Sequence, residues 1–157
     1  METWTLSAYE VYEAAAVAVL FYHNVYEEGK QGGLEIIQQG TRIAGNGNLR
    51  LGIAPEQWDV LPRNGKRQVE PDGSLSISCA YQVEGISYTV CLAPDGGSLR
   101  LRVDLGEGLP ADWVYKVGFN LELMPGAYMG KSFFMDGAAG VFSRQFNQPM
   151  QRTPGGS

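Results

Sequence analysis

Histidine and cysteine are nearly absent from this chain, and their scarcity removes several kinds of chemistry at once. Of 157 residues, one is histidine, His23, and two are cysteines, Cys79 and Cys91. A Ser-His-Asp or Cys-His arrangement would have to be built around His23, which stands in no motif of that chemistry. Two cysteines are too few for a disulfide scaffold or a zinc site, and these form no CxxC pair. Long apolar runs are missing too. The longest, Ala14–Tyr22, has nine residues, against about 20 for a helix that crosses a bilayer. No basic segment precedes it, so it does not read as a secretory signal. The 12 lysines and arginines are scattered singly among 17 acidic residues, for a net charge of -5. That pattern lacks the basic stripe by which a nucleic-acid binder displaces counterions, and it does not suit docking on anionic membranes.

What the chain has in quantity is punctuation: 21 glycines and eight prolines. Between them run segments of period-two alternation. Leu75, Ile77, Cys79, Tyr81 and Val83 form one apolar face, Ile86, Tyr88, Val90 and Leu92 the next, and Leu99, Leu101, Val103 and Leu105 a third. Trp113, Tyr115, Val117, Phe119, Leu121 and Leu123 continue the pattern. Such alternation marks half-buried antiparallel strands. Turns are expected at Pro71–Ser74, at Val83–Ile86 with Glu84-Gly85 at its centre, and at Pro94–Gly97. The fold class expected is all-β, an antiparallel β-sandwich or jelly roll of about seven to ten short strands. Residues 1–150 read as one such module and residues 151–157, with the composition of "TPGGS", as a linker or tail. The first quarter is ambiguous. Ser7 and Glu10 have capping-box spacing before an alanine-rich run, which favours a helix locally, while Val17, Val19 and Phe21 alternate as in a strand.

The cluster "GNGNLR" at residues 45–50 lacks the last glycine of G-x-G-x-x-G, and the "LRLGI" that follows alternates like a strand. With no helix to open, it offers no phosphate site, and Asn46-Gly47 is expected to be a hairpin turn, since both residues tolerate positive φ. Glu35, Asp104 and Glu122 are strand carboxylates, but nothing in their spacing pairs two of them for glycoside cleavage. No cofactor is expected. Oxygen ligands for a structural calcium ion exist at loops such as Asp95 and Asp136, without EF-hand spacing. If Glu84-Gly85 is a two-residue turn, Cys79 and Cys91 point to opposite faces, so free thiols are expected.

Aromatic residues are the most suggestive class: 3 Trp, 8 Tyr and 6 Phe. Flat rings bind sugar faces while amides and charged groups hydrogen-bond the hydroxyls. In-register rings (Trp113, Tyr115, Phe119, Tyr81, Tyr88) are expected in the core. Trp58, Tyr128 and Tyr26 lie on loops or out of register and are the candidate ligand-binding rings, with Gln57 and Lys131 as polar neighbours.

The stretches "KQGGLEIIQQGTRIAGNGNLRL", "APEQWDVLP", "GFNLELMPGAYMGKSFFMDG" and "GVFSRQFN" together resemble the non-catalytic N-terminal β-sandwich of bacterial polysaccharide-degrading enzymes related to family 9 glycoside hydrolases. The resemblance covers most of residues 17–150. It implies that Val17–Asn24 is a strand leading into a loop and that "LEIIQQGTRIA" forms strands facing it, against the local helix preference. It also implies that catalytic residues lie in a separate module. The chain departs from the pattern at Asn48, where an aspartate is usual, which removes a potential ion ligand. The function expected on this basis is a carbohydrate-binding module, not an enzyme. It would be secreted, covalently joined to a catalytic module, and bound to plant-type polysaccharide such as β-glucan, cellulose or xyloglucan, with no nucleic acid or membrane partner. Two alternatives stand beside it: a structural module that packs on a catalytic domain, and a small jelly-roll glycosidase.

Overall fold

The computed structural model describes residues 3–23, 33–52 and 60–144. The alternating segments are strands. In chain order the first are β1 (Thr5–Leu6), β2 (Tyr12–Ala14), β3 (Val17–Phe21), β4 (Leu34–Gln38) and β5 (Thr41–Leu51). There follow β6 (Arg63–Asn64), β7 (Gln68–Val69), β8 (Leu75–Tyr81), β9 (Ile86–Asp95) and β10 (Ser98–Asp104). The last are β11 (Val117–Leu123), β12 (Ser132–Met135) and β13 (Ala138–Val141), with one helical turn, α1 (Pro125–Tyr128), between β11 and β12.

The chain divides into two compact units, Met1–Leu123 and Met124–Ser157. That boundary falls inside the module expected over residues 1–150, just before the strand-breaking dipeptide Pro125-Gly126. In the first unit, six strands form an antiparallel sheet in the order β1-β2-β3-β4-β5-β11, and a second sheet runs β10-β9-β8-β6, with β7 also on β8. Tyr12, Val19, Phe21, Leu34, Leu49 and Leu51 of the first sheet meet Leu75, Ile77, Tyr81, Ile86, Tyr88, Val90 and Leu92 of the second in one buried cluster. Two sheets face each other across a shared apolar layer, which is a β-sandwich. Each fully buried Leu, Ile or Val in that layer contributes roughly 1.5–3 kcal/mol. The second unit contains α1 and the hairpin β12–β13, whose two-residue turn Asp136-Gly137 has positive φ at both positions, the geometry a type I′ hairpin requires.

The helix favoured locally at Ser7–Glu10 does not form. Glu10 sits at φ +57°, outside the right-handed helical region, and Ser7 closes a turn in which its Oγ accepts from the Val11 N–H at 3.3 Å. The alanine-rich run becomes β2 and β3, joined by the two-residue turn Ala15-Ala16. β3 pairs with β4 and β4 with β5, so tertiary pairing overrides helix propensity.

The turn expected at Asn46-Gly47 is also corrected. The hairpin between β4 and β5 closes at Gln39-Gly40, both at positive φ, and β5 runs unbroken through Asn46-Gly47. Asn46 does have φ +52°, but as the extra residue of a bulge. On β11, Asn120 faces Asn48 and Glu122 faces Gly45, a one-residue shift. The tolerance for positive φ was legible, and a bulge uses it as readily as a turn does. Gly47 is needed for a second reason. A Cβ on Gly33 would lie 2.0 Å from the Gly47 carbonyl oxygen, and one on Gly47 would lie 2.6 Å from the Leu34 Cβ.

The β8–β9 hairpin closes through four residues, since Tyr81 pairs with Ile86. Val83, expected on the apolar face, is therefore 93% exposed. The pairing moves by an even step from the expected Val83–Ile86 pair, and side-chain facing has period two, so Cys79 still faces inward and Cys91 outward. Both thiols are free. Nor does the strand expected from Trp113 begin there. Ala111–Trp113 is a 3-10 turn, Tyr115 takes φ +65°, and pairing starts only at Val117.

Adding a methyl group at Gly33 should destabilise the fold by about 2–3 kcal/mol, because overpacking against backbone finds no relief. Asn46→Gly should be nearly neutral, and Asn46→Val should cost about 1–2 kcal/mol for forcing a β-branched residue into the left-handed region. Urea denaturation of the three variants checks the order.

Candidate functional site

The outward face of the second sheet carries small side chains at its centre and longer ones at its margins. Across the strands run two rows of cross-strand partners: Asp104, Thr89 and Ser78 in one, and Ser87, Ala80 and Arg63 in the other. Small residues on β8 and β9 flanked by Arg63, Asn64 and Asp104 leave a trough of about 590 Å³. Ser78 and Ser87 are exposed on its floor. The side-chain oxygen of Asn64 is buried at its wall and has no hydrogen-bond partner. Asn64 is the cross-strand partner of the inward-facing Cys79, so this oxygen is turned away from the trough floor. One arginine and one aspartate leave the lining without net charge. Hydroxyls and balanced charge suit a neutral, hydroxyl-rich ligand.

The sequence-chosen site residues fall elsewhere. Tyr26, Gln57 and Trp58 lie outside the described residues. Tyr128 and Lys131 are together in the second unit, where the Lys131 N–H donates to the Tyr128 carbonyl at 2.9 Å. Tyr128 is half-buried, its ring centroid 5.4 Å from that of Phe142, while Lys131 is exposed. Of the rings expected in the core, Tyr81 and Tyr88 are buried, and Trp113 and Phe119 pack at the edge of the core. Tyr115 is fully exposed, because its left-handed backbone turns it out of the alternation. The trough could have been found from the polar half of that alternation: Ser76, Ser78 and Ala80 on one strand, Ser87, Thr89 and Cys91 on the next.

The remaining candidates are accounted for by their partners. Glu35, 2% exposed, meets the Arg42 guanidinium at 3.2 Å. Glu122 accepts from the Asn46 side-chain amide at 2.7 Å. They stand on β4 and β11, with β5 between them. His23 Nε2–H donates to the Tyr9 carbonyl at 2.6 Å, and Nδ1 accepts from Arg67, a tautomer assigned from those partners. Arg67 also binds the Glu10 carboxylate and the Phe21 carbonyl. With both ring nitrogens used, His23 holds the Ser7–Glu10 turn to the second sheet. Asp95 pairs with Arg100. Among the described residues, no group of three His, Cys, Asp or Glu side chains comes together as a metal site.

A second polar cluster lies inside the sandwich. Asn48 Oδ1 on β5 accepts from Tyr22 Oη at 2.7 Å, from Tyr88 Oη at 3.0 Å and from the Leu49 N–H at 2.8 Å. Tyr81 Oη donates to the Leu49 carbonyl at 2.7 Å, and the Cys79 thiol lies beside Tyr88 and Tyr22. Burial pushes the Cys79 thiol up to about 11, and both tyrosines rise for the same leading reason. These groups are proton-bearing and inward-facing, so the cluster is structural. It explains Asn48 without an ion: the amide oxygen accepts three neutral donors.

Compared with known family models, curated proteins and solved structures, the chain matches none.

Thiol titration should therefore find Cys91 reactive in the folded protein and Cys79 protected until unfolding. Between about pH 9 and 11 the unfolded chain sheds the Cys79 proton while the folded chain keeps it, so the unfolded state binds fewer protons and stability falls as pH rises. Thermal melts across that window should show the decline, and Cys79→Ala should remove part of the slope. Asn48→Leu should cost about 2–4 kcal/mol, because it orphans two buried hydroxyls and a backbone N–H.

Proposed function

We propose that this chain is a non-catalytic carbohydrate-binding module whose ligand, a plant-type glucan such as β-glucan, cellulose or xyloglucan, lies in the trough on the second sheet. The observation that carries this reading is the trough itself, with its hydroxyl floor and no net charge. Ser78, Ser87 and Thr89 would exchange hydrogen bonds with sugar hydroxyls, and Arg63 and Asp104 would hold the chain at the margins. Trp58, Gln57 and Tyr26 remain the ring and polar candidates that the sequence offers, outside the described residues. In this reading the module is covalently joined to a secreted polysaccharide-degrading enzyme and raises its local concentration on substrate, an effect that needs only modest affinity. No helix among the described residues is long and apolar enough to cross a membrane.

A second reading has its own observation. On the β12–β13 hairpin of the second unit, Phe134, Met135 and Val141 are each more than half exposed. Phe134 and Val141 share one face of that hairpin, which suits packing on a neighbouring catalytic domain and would make the module structural.

Affinity gel electrophoresis against soluble β-glucan, xyloglucan, mannan and xylan, with a pull-down on insoluble cellulose, distinguishes the two. The expected outcome is retardation by at least one glucan, lost in Ser87→Trp, which fills the trough, with the melting temperature unchanged. Retention on none of the five polymers would refute the carbohydrate reading. Loss in Trp58→Ala alone, with Ser87→Trp still retained, would move the site off the trough.

A further inference from the structure

A β-sheet edge exposes a row of backbone donors and acceptors, and folded proteins blunt such edges with short strands or charge. Three of the edges here follow that rule. β1, β6 and β7 are two residues long, and β10 turns Arg100 and Arg102 outward on alternate positions. The fourth does not. β11, seven residues of sequence VGFNLEL, pairs with β5 on one side, and among the described residues it has no strand on the other. Its single charge is Glu122.

We propose that β11 is a homodimerisation edge, pairing antiparallel with β11 of a second copy about a two-fold axis at Phe119. The pattern of the strand and its flanks is self-complementary in that register. Val117 meets Leu121, Gly118 meets Asn120, and Lys116 stands opposite Glu122 of the partner subunit. By symmetry the ion pair forms twice. Lys116 has no ion-pair partner among the described residues, and Glu122 has one oxygen engaged by Asn46, which leaves the other for the lysine. The same register brings the exposed Tyr115 toward Leu123 of the partner subunit. Both are exposed apolar residues in the single chain, and Tyr115 is held outward by a positive φ that is unfavourable for a bulky residue and is maintained where the surroundings give it a use. The β10 edge could not pair in this way, because any two-fold register that centres it sets Arg100 against Arg102. The proposal does not depend on the trough or on a carbohydrate ligand.

Sedimentation velocity on the full chain, at concentrations up to about 1 mM, where even a Kd of that order leaves a readable dimer fraction, is the test. The wild type should sediment as a monomer–dimer equilibrium. Lys116→Glu and Glu122→Lys each place like charges opposite one another at both ends of the strand pair and should each weaken the dimer about tenfold. The double variant restores opposite charges and should restore the dimer. It also separates an interface effect from damage to the fold, as circular dichroism of all three variants would confirm. A wild type that is monomeric throughout, or a dimer indifferent to both reversals, would overturn the proposal.

Discussion

The side-chain amide oxygen of Asn48 is the point on which the first unit depends. It sits at the interior of a sandwich whose two sheets meet mainly through apolar contact, beside the bond from Tyr81 Oη to the Leu49 carbonyl, and it accepts from a tyrosine following β3, a tyrosine on β9 and the next backbone N–H. Apolar packing is non-directional and would tolerate sliding of one sheet over the other. A shared acceptor is directional, and any slide would leave buried hydroxyls unpaired, at a cost of several kcal/mol in a low-dielectric interior. Tyr22 reaches the cluster only by adopting φ +51°, a strain the surrounding bonds offset. An amide serves better here than a carboxylate, since its oxygen accepts these donors without burying a charge.

The first sheet shows how close its chains come. At Gly33 and Gly47, β4 and β5 approach so nearly that neither position has room for a Cβ. Asn46, beside them, takes up the extra residue of the β5–β11 bulge. That bulge turns the Asn46 amide to Glu122. The cluster at residues 45–50, which lacks the last glycine of a phosphate loop, thus lies within one continuous strand, and its asparagines and glycines solve a packing problem. The face that could receive a ligand is on the other sheet, where small residues replace long ones.

Much of the architecture was legible in advance. The faces of β8 and β9 follow directly from Leu75, Ile77, Cys79 and Tyr81 and from Ile86, Tyr88, Val90 and Leu92, because period-two alternation is a local property. The separation of the two thiols was legible for the same reason, and it survived an error in the turn length. The failures are equally physical. Positive φ at Asn46 does not say whether the chain reverses or bulges. Tyr115 obeys the alternation in sequence yet leaves it in space, because a turn ends the strand pattern before pairing begins. Ala15-Ala16 carries no turn chemistry and turns because β2 and β3 must pair. For the candidate site, ring exposure was weighed and the polar half of the alternation was not, so the Ser78–Thr89 trough went unread.

The sequence by itself determined the all-β class, the facing of the long strands and the scarcity of histidine and cysteine, since each of these depends on neighbouring residues or on composition alone. Only the tertiary structure decided which strands are neighbours, which face is concave, that Asn48 joins the two sheets, and that β11 stands at an edge. Those facts rest on contacts between residues tens of positions apart, whose pairing is fixed by the burial of a whole face and not by any segment within it.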